Sequence, residues 1–188
     1  MTSIATATLP TASTSSWKID PAHTHVEFAV RHLMIATVKG RFADVQGTVT
    51  IDETDPTKNS VDVTIGAASI DTREPQRDAH LRSADFFNIE VHPTLTFRSR
   101  RVTDVAGDRF RLTGDLTIGS VTREVVLEVT TGGRGRDPWG GERSAFEATT
   151  KIKRSEFGLT WNQALETGGV VVGDEIKISV DAELVRQA

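Results

Sequence analysis

The strongest constraint on the fold is a two-residue alternation of apolar and polar side chains that recurs along most of the chain. It is clearest in residues 109–118, where Phe110, Leu112 and Leu116 are separated by arginine, threonine and aspartate. Because alternate side chains of a strand point to opposite faces, each such stretch predicts a strand with one apolar face. The predicted strands cover residues 17–20, 23–32, 44–52, 60–70, 94–101, 109–118, 122–131, 144–154 and 175–186.

The connections between these strands predict antiparallel pairing. Most are short turns, such as residues 105–108 and 119–120, and turns of this length are typical of hairpins. Parallel pairing needs a crossover of about a dozen residues, and only the Arg73–Phe87 region is long enough for one. Asp71 and Thr72 are candidate caps and Pro75 follows them, which predicts a helix between Glu74 and Phe87. We therefore expect an all-β fold with one inserted helix. An eight-stranded antiparallel barrel is favoured, and a two-sheet sandwich is the alternative.

Two segments depart from the alternation. Residues 33–40 begin with Leu33, Met34 and Ile35, which are too continuously apolar for a solvated loop, and Gly40 offers the positive φ that ends a helical turn. They predict a short helix or wide turn folded over one end of the barrel. The glycine-rich residues 132–141 have no helix behind them, so they predict a long hairpin turn rather than a phosphate-binding loop.

Length and composition bound the function. The 188 residues suit one domain, and we expect a disordered tail at 1–16 and a single barrel domain at 17–188. The tail has neither a charged side chain nor the apolar run of about 7–15 residues that a secretory signal needs, which predicts a cytoplasmic protein. The absence of cysteine excludes disulfides and thiol-rich zinc sites. A net charge of −4 argues against nucleic-acid binding.

The strand predicted at 23–32 has two different faces. Val26, Phe28 and Val30 share one face, which we expect to line the barrel interior, whereas His23 and His25 lie on the other. Two histidines on one face suit a metal site, but the carboxylate that cupin-type sites place three or four residues later is missing. We therefore expect no metal, and a solvated or interface stripe instead.

Cationic residues cluster in the sequence near residues 33–40 and the predicted helix. His32, Arg77 and His80 are the members we expect to contact an anionic head group, if they meet at one end of the barrel. The alternative is that nearby acids such as Glu74 and Asp85 pair with these cations locally, in which case they have no role in ligand binding.

Four stretches of the sequence are informative together: HTHVEFAVRHL at 23–33 with VKGRF at 38–42, IDT at 70–72 with RDAHLRSADFF at 77–87, HPTLTF at 92–97, and RSEFGL at 154–159. Taken together and in this order, they resemble the YceI-like polyisoprenoid-binding family. The resemblance implies a lipocalin-like barrel with an internal apolar tunnel that takes a long isoprenoid, quinone-like or fatty lipid. It implies no covalent chemistry and no cofactor, and it suggests a homodimer.

The resemblance also implies which residues line the tunnel. They are Val26, Phe28, Val30, Phe42, Leu81, Phe86, Phe87, Leu95, Phe97, Phe157 and Leu159, and we add Trp161, a large apolar side chain close behind them.

Three functions remain to be distinguished. The first is non-enzymatic binding, transport or storage of an isoprenoid or other lipid, with no nucleic-acid partner and no stable insertion into a membrane. The second is a hydrolase or isomerase that acts on a hydrophobic substrate, with His32, Asp78 or His80 as acid or base. The third is a structural module whose interior is filled by its own side chains, and internal volume distinguishes it from the first.

Overall fold

The computed structural model describes residues 14–166 and 168–188, which form eleven strands and one α-helix. The strands are β1 Thr14–Ile19, β2 His25–His32, β3 Ala36–Phe42, β4 Val45–Asp52, β5 Ser60–Gly66, β6 Ile70–Asp71, β7 Thr94–Ala106, β8 Arg109–Ile118, β9 Val121–Arg136, β10 Glu142–Lys153 and β11 Val172–Arg186. The helix, α1, spans Pro75–Arg82. The predicted all-β fold with one inserted helix is confirmed. In the described part of the chain, no helix has the length and apolarity that crossing a membrane requires.

The sheet closes into a barrel because β1 pairs on both sides. Trp17 lies opposite Val49 of β4 on one side and opposite Arg186 of β11 on the other. β1 with β2, β3 with β4, and β5 with β6 each form one interrupted stave, so the strands make a closed antiparallel barrel of eight staves. The predicted eight-stranded barrel is confirmed, and the two-sheet sandwich is excluded.

The prediction of a short helix or wide turn at residues 33–40 is wrong in its extent. The turn is confined to residues 33–35, where Leu33 and Met34 have left-handed φ values of 50° and 61°, and β3 starts at Ala36. Gly40 does not end a helix. It lies in β3 opposite Phe28, whose ring occupies the space that a Cβ at this position would need.

The helix is shorter than the sequence predicted. Its N-cap is Glu74 rather than Asp71 or Thr72, and the Glu74 carboxylate accepts hydrogen bonds from the backbone N–H groups of Gln76 and Arg77. α1 ends at Arg82, and turns carry the chain from there to β7. The Asp78 side chain is buried and accepts a hydrogen bond from the Thr72 backbone N–H at 2.9 Å, which ties α1 to the end of β6.

Two other predicted boundaries change. Residues 132–136 belong to β9, so the hairpin turn covers only residues 137–141. Thr14–Ser16 belong to β1 and pair with β4, so the ordered domain starts earlier than residue 17. The rest of the predicted tail, residues 1–13, lies outside the described residues.

The two ends of the barrel differ: one carries the turn at 33–35 and the other contains Trp17. At the tip end, the turn at 33–35 lies beside the start of β11, where His32 pairs with Val172. At the tryptophan end, Trp17 lies next to the last residues of β11, and the turn at 137–141 joins β9 to β10. Trp17 is fully buried and packs with Val49 and Leu184.

Candidate ligand cavity inside the barrel

A cavity of about 290 Å³ lies inside the barrel, and its wall is almost wholly apolar. Its volume is near the lower end of the range for ligand pockets, which is about 300–1,000 Å³. Wall residues extend from Val30 and Val172 at the tip end to Val49 and Ile51 close to Trp17. The cavity is therefore long and narrow, as expected for a space bounded by eight staves.

The wall follows directly from strand alternation. Val26, Phe28 and Val30 of β2 all line the cavity, while His25 and Arg31, which flank this stretch on the other face, are exposed. Cross-strand pairing continues this face onto β11, where Val180, Ile178 and Ile176 lie opposite these three residues. On β10, the next strand, their partners are Ala148, Thr150 and Ile152.

The structure brings most of the predicted wall residues to this cavity. Those that line it are Val26, Phe28, Val30, Phe42, Leu81, Phe86, Phe87, Leu95, Phe97 and Leu159. They come from three strands, β2, β3 and β7, from α1 and the turn after it, and from the segment after β10. Widely separated parts of the chain therefore contribute to a single surface.

Two predicted wall residues, Phe157 and Trp161, do not line the cavity. Phe157 is 4% exposed and packs into the hydrophobic core beneath the 3₁₀ turn Arg154–Phe157. Trp161 instead packs at the tip end against His80 and Phe86, with ring centroids 4.7 Å and 5.4 Å away. Both residues close the barrel end rather than form its inner surface, because the chain has left the sheet at this point.

The predicted head-group residues do not meet at the cavity. Arg77 donates from Nε to the Thr72 hydroxyl at 2.8 Å, and His80 Nε2 lies 2.9 Å from Asp85 Oδ2. His32, at the end of β2, is half-buried outside the cavity wall. His80 therefore pairs with a nearby acid, as the alternative interpretation expected, whereas the Arg77 guanidinium bonds to the hydroxyl and carbonyl of Thr72 rather than to an acid.

Two charged residues, Glu27 and Arg154, belong to the cavity wall, and Arg154 is the buried one, which the sequence interpretation missed. It is 6% exposed, and its guanidinium donates hydrogen bonds to the carbonyl oxygens of Gly173 at 2.9 Å, Trp161 at 2.9 Å, Leu159 and Val172. Burial lowers the pKa of this guanidinium below its ordinary value. Arg154 therefore joins the start of β11 to the segment after β10 and holds the tip end together.

Other wall residues were also missed, although a signal for them was present. Ile176, Ile178 and Val180 alternate with Lys177 and Ser179 in the sequence, which predicted a strand. The alternation does not say which strands face a void and which face filled core. Only closure of the barrel decides that.

Asp20, His23 and Glu183 form a group of possible metal ligands, and His25 is not part of it. His23 Nδ1 lies 3.0 Å from Asp20 Oδ2, and Glu183 is close by, whereas His25 lies apart from this cluster on β2. Arg143 Nη1 already bridges the two carboxylates, at 2.6 Å from each. Hydrogen bonds from His23 and Arg143 lower the pKa of Asp20 to about 2.

Comparisons with known proteins agree with this architecture. A family model for the YceI-like domain matches residues 17–184. Protein YceI of Salmonella newport (strain SL254) is 39% identical over 182 residues, which cover 96% of this chain and 92% of the relative. The crystal structure of the Campylobacter jejuni YCEI protein is 31% identical with a TM-score of 0.72, covering 84% of this chain and 90% of that one. A polyisoprenoid binding domain from Saccharophagus degradans has a TM-score of 0.65 at 13% identity, covering 92% and 99%, and this likeness concerns the fold alone.

Proposed function

Because this chain belongs to the YceI-like family, we propose that it binds a long isoprenoid or a similar apolar lipid inside its barrel, without chemical change to the ligand. The observation that carries the proposal is the elongated cavity of about 290 Å³ with its almost wholly apolar wall. The polyisoprenoid binding domain of Saccharophagus degradans, which shares the fold, supports the choice of ligand class.

The physical chemistry of the wall suits a hydrocarbon chain. Each CH₂ group that leaves water for an apolar environment contributes about 0.8 kcal/mol, so a few isoprene units suffice for binding without strong polar contacts. The few polar groups at the wall, such as Thr24, Asn59 and Thr150, are separated by aliphatic and aromatic side chains. An extended apolar chain matches this lining better than a polar metabolite does.

The two other functions receive less support from the cavity. The residues named as candidate acids or bases, His32, Asp78 and His80, are absent from its wall. The Asp78 carboxylate is instead engaged by the backbone N–H of Thr72. A purely structural module with a filled core does not account for the cavity volume. Binding therefore remains the function that the geometry supports best.

A cavity-filling substitution tests the proposal. Ala148 lies on β10 and lines the cavity, so we expect Ala148→Trp to fill part of it and to lower the affinity for a fluorescent polyprenyl probe at least about tenfold. The matched control is Glu147→Trp, since Glu147 is exposed on the outer face of the same strand. Overpacking costs about 1–3 kcal/mol, so thermal unfolding of both variants accompanies the titration. Equal probe binding by the two folded variants contradicts the proposal.

The natural ligand calls for a separate experiment. We expect protein recovered from cells under native conditions to release an isoprenoid or other long apolar lipid on solvent extraction, detected by mass spectrometry. Absence of any bound lipid, together with no uptake of polyprenyl probes, overturns the proposal. Transport as opposed to storage, the cytoplasmic location and the homodimer stay predictions, and analytical ultracentrifugation tests the last of them.

A further inference from the structure

The turn at the tip end exposes three consecutive apolar side chains. Leu33, Met34 and Ile35 are 36%, 53% and 79% exposed, although residues in turns of this kind are usually polar or glycine. The turn is well held. The Ile35 backbone N–H donates to the His32 carbonyl at 3.1 Å, and Arg31 Nη2 donates to the Met34 carbonyl at 2.8 Å. The three side chains therefore form a fixed apolar projection.

Basic side chains lie behind this projection on the outer face of the barrel. One rung of the sheet places Lys39, Ala29, Lys177 and Lys151 side by side across four strands. Arg31 and Lys153 lie nearer the turn. The carboxylates of the same patch are Asp174 and Glu175, with Glu27 one rung behind Ala29 and Glu166 on the neighbouring loop. Cations outnumber acids here, in a chain whose net charge is −4.

Few of these cations are neutralised by a partner. Lys151 pairs with Glu175 at 3.4 Å, but within residues 14–166 and 168–188 Lys39, Lys153 and Lys177 have no carboxylate within salt-bridge distance. Arg31 uses its guanidinium to hold the turn and keeps its charge there. The patch thus presents net positive charge immediately behind an apolar tip.

The tip also lies next to one end of the cavity. The Leu33 backbone N–H donates to the Val171 carbonyl at 2.9 Å, and Val30 and Val172, a few residues away, line the cavity. Whatever surface the tip contacts is therefore brought close to the apolar interior of the barrel.

We propose that the tip end docks on the surface of an anionic lipid bilayer. Leu33, Met34 and Ile35 enter the boundary between head groups and acyl chains, which interfacial segments reach at a depth of roughly 5–10 Å. Arg31 and the rung of lysines, roughly 13 Å behind the turn along the strand, contact lipid phosphates. Juxtamembrane cations of this kind strengthen binding to anionic membranes.

A bilayer suits this patch better than a second copy of the chain does. A twofold contact brings the same surface of two copies together, so two patches of net positive charge approach each other. Like charges brought together in this way weaken association. A bilayer with anionic head groups instead complements both the apolar and the cationic parts.

Vesicle flotation tests the docking surface. We expect the protein to float with phosphatidylcholine vesicles that contain phosphatidylglycerol, more than with phosphatidylcholine alone, and less as salt rises. Met34→Asp with Ile35→Asp lowers affinity for both vesicle types about tenfold or more. Lys39→Glu with Lys177→Glu lowers affinity for the anionic vesicles by a similar factor and leaves the weak binding to neutral vesicles unchanged.

The matched control lies at the other end of the barrel. Trp139 is 87% exposed in the turn at 137–141, and Trp139→Asp leaves flotation unchanged. The proposal is overturned if the wild-type protein does not float, if the tip variant floats as the wild type does, or if Trp139→Asp reduces flotation equally. It is also overturned if the tip variant converts a dimer to a monomer without altering flotation, because the tip is then a contact between copies.

Docking on a bilayer goes beyond the proposed binding of a lipid inside the barrel, and different variants test the two proposals separately. The tip variant keeps its equilibrium affinity for a polyprenyl probe added from solution but takes up the probe from vesicles more slowly. Ala148→Trp loses probe binding and still floats. Loss of both properties in either variant, with the fold intact by circular dichroism, contradicts a separate docking surface.

Discussion

The two ends of the barrel handle charge and apolar surface in opposite ways. At the tryptophan end, Trp17 fills the interior, its indole N–H donates to the Ser15 hydroxyl at 2.8 Å, and the Arg134 guanidinium covers its ring at 5.1 Å. At the tip end, Leu33–Ile35 project outward and Arg154 closes the barrel through backbone carbonyls.

The arginines around the tryptophan end are paired with acids. Arg134 pairs with Glu53 at 2.7 Å, Arg186 pairs with Glu142, and Arg143 contacts three carboxylates. The lysines behind the tip largely lack such partners in the described part of the chain. The same alternation of strand residues therefore supports two different ends. The residues at the ends of the strands determine that the tryptophan end is sealed and that the tip end presents an apolar and cationic surface.

Removal of Trp17 is the most severe test of the sealed end. We expect Trp17→Ala to lower the free energy of unfolding by about 3–5 kcal/mol, because a fully buried indole leaves a cavity. Urea denaturation measures the change. Trp139→Ala, at the same end but exposed, is the control and changes stability by no more than about 0.5 kcal/mol. Similar losses in both variants contradict the assignment of Trp17 as the plug.

Removal of Arg154 tests the closure of the tip end. Arg154→Met keeps most of the side-chain volume but leaves several buried carbonyl oxygens without donors, so we expect a loss of about 3 kcal/mol. The control is Arg123→Met, since Arg123 is exposed and makes one hydrogen bond, to the Glu156 carbonyl. If the two variants unfold at the same urea concentration, Arg154 does not hold this end together.

The network around Arg143 predicts a smaller, pH-dependent effect. The pKa of Asp20 is about 2 in the folded protein, below its ordinary value of 3.8, so the folded chain binds fewer protons than the unfolded chain between those values. Stability from this carboxylate is therefore present above about pH 4 and is lost as the pH falls toward 2.

Arg143→Met removes the cation that holds this network. We expect the variant to be less stable at neutral pH and its melting temperature to decline less steeply below pH 4 than that of the wild type, which a series of thermal melts against pH measures. Arg100→Met is the control, because Arg100 pairs with Asp115 and Glu124 on an exposed face and contributes little. If the melting temperature of Arg143→Met falls below pH 4 as steeply as that of the wild type, the network does not stabilise the fold.

Much of the fold was predictable because alternation is a local signal. Residues 109–118 form the strand β8 as predicted, and Val26, Phe28 and Val30 face inward. The interpretation of residues 33–40 was wrong for a specific reason. Leu33–Ile35 are apolar yet exposed, so they imitate the continuous pattern of a buried segment, and nothing local distinguishes the two situations.

The sequence was a poorer guide to the site than to the strands. The predicted cationic residues do not form one cluster, because Arg77 bonds to Thr72 and His80 bonds to Asp85. The role of Arg154, which lines the cavity, could not be predicted from the sequence because its hydrogen-bond partners are backbone carbonyls. Backbone groups carry no residue identity, so their positions become known only from the folded chain.

By itself, then, the sequence determined the alternation along the strands, the hairpin connections, the inserted helix and the inward position of Val30 and Phe28. Tertiary structure alone decided that the staves close into a barrel with space left inside, and that Leu33–Ile35 project beside Lys39 and Lys177. The physical reason is that alternation depends on neighbouring residues, whereas closure, cavity volume and clustering of charge depend on contacts between residues far apart in the chain.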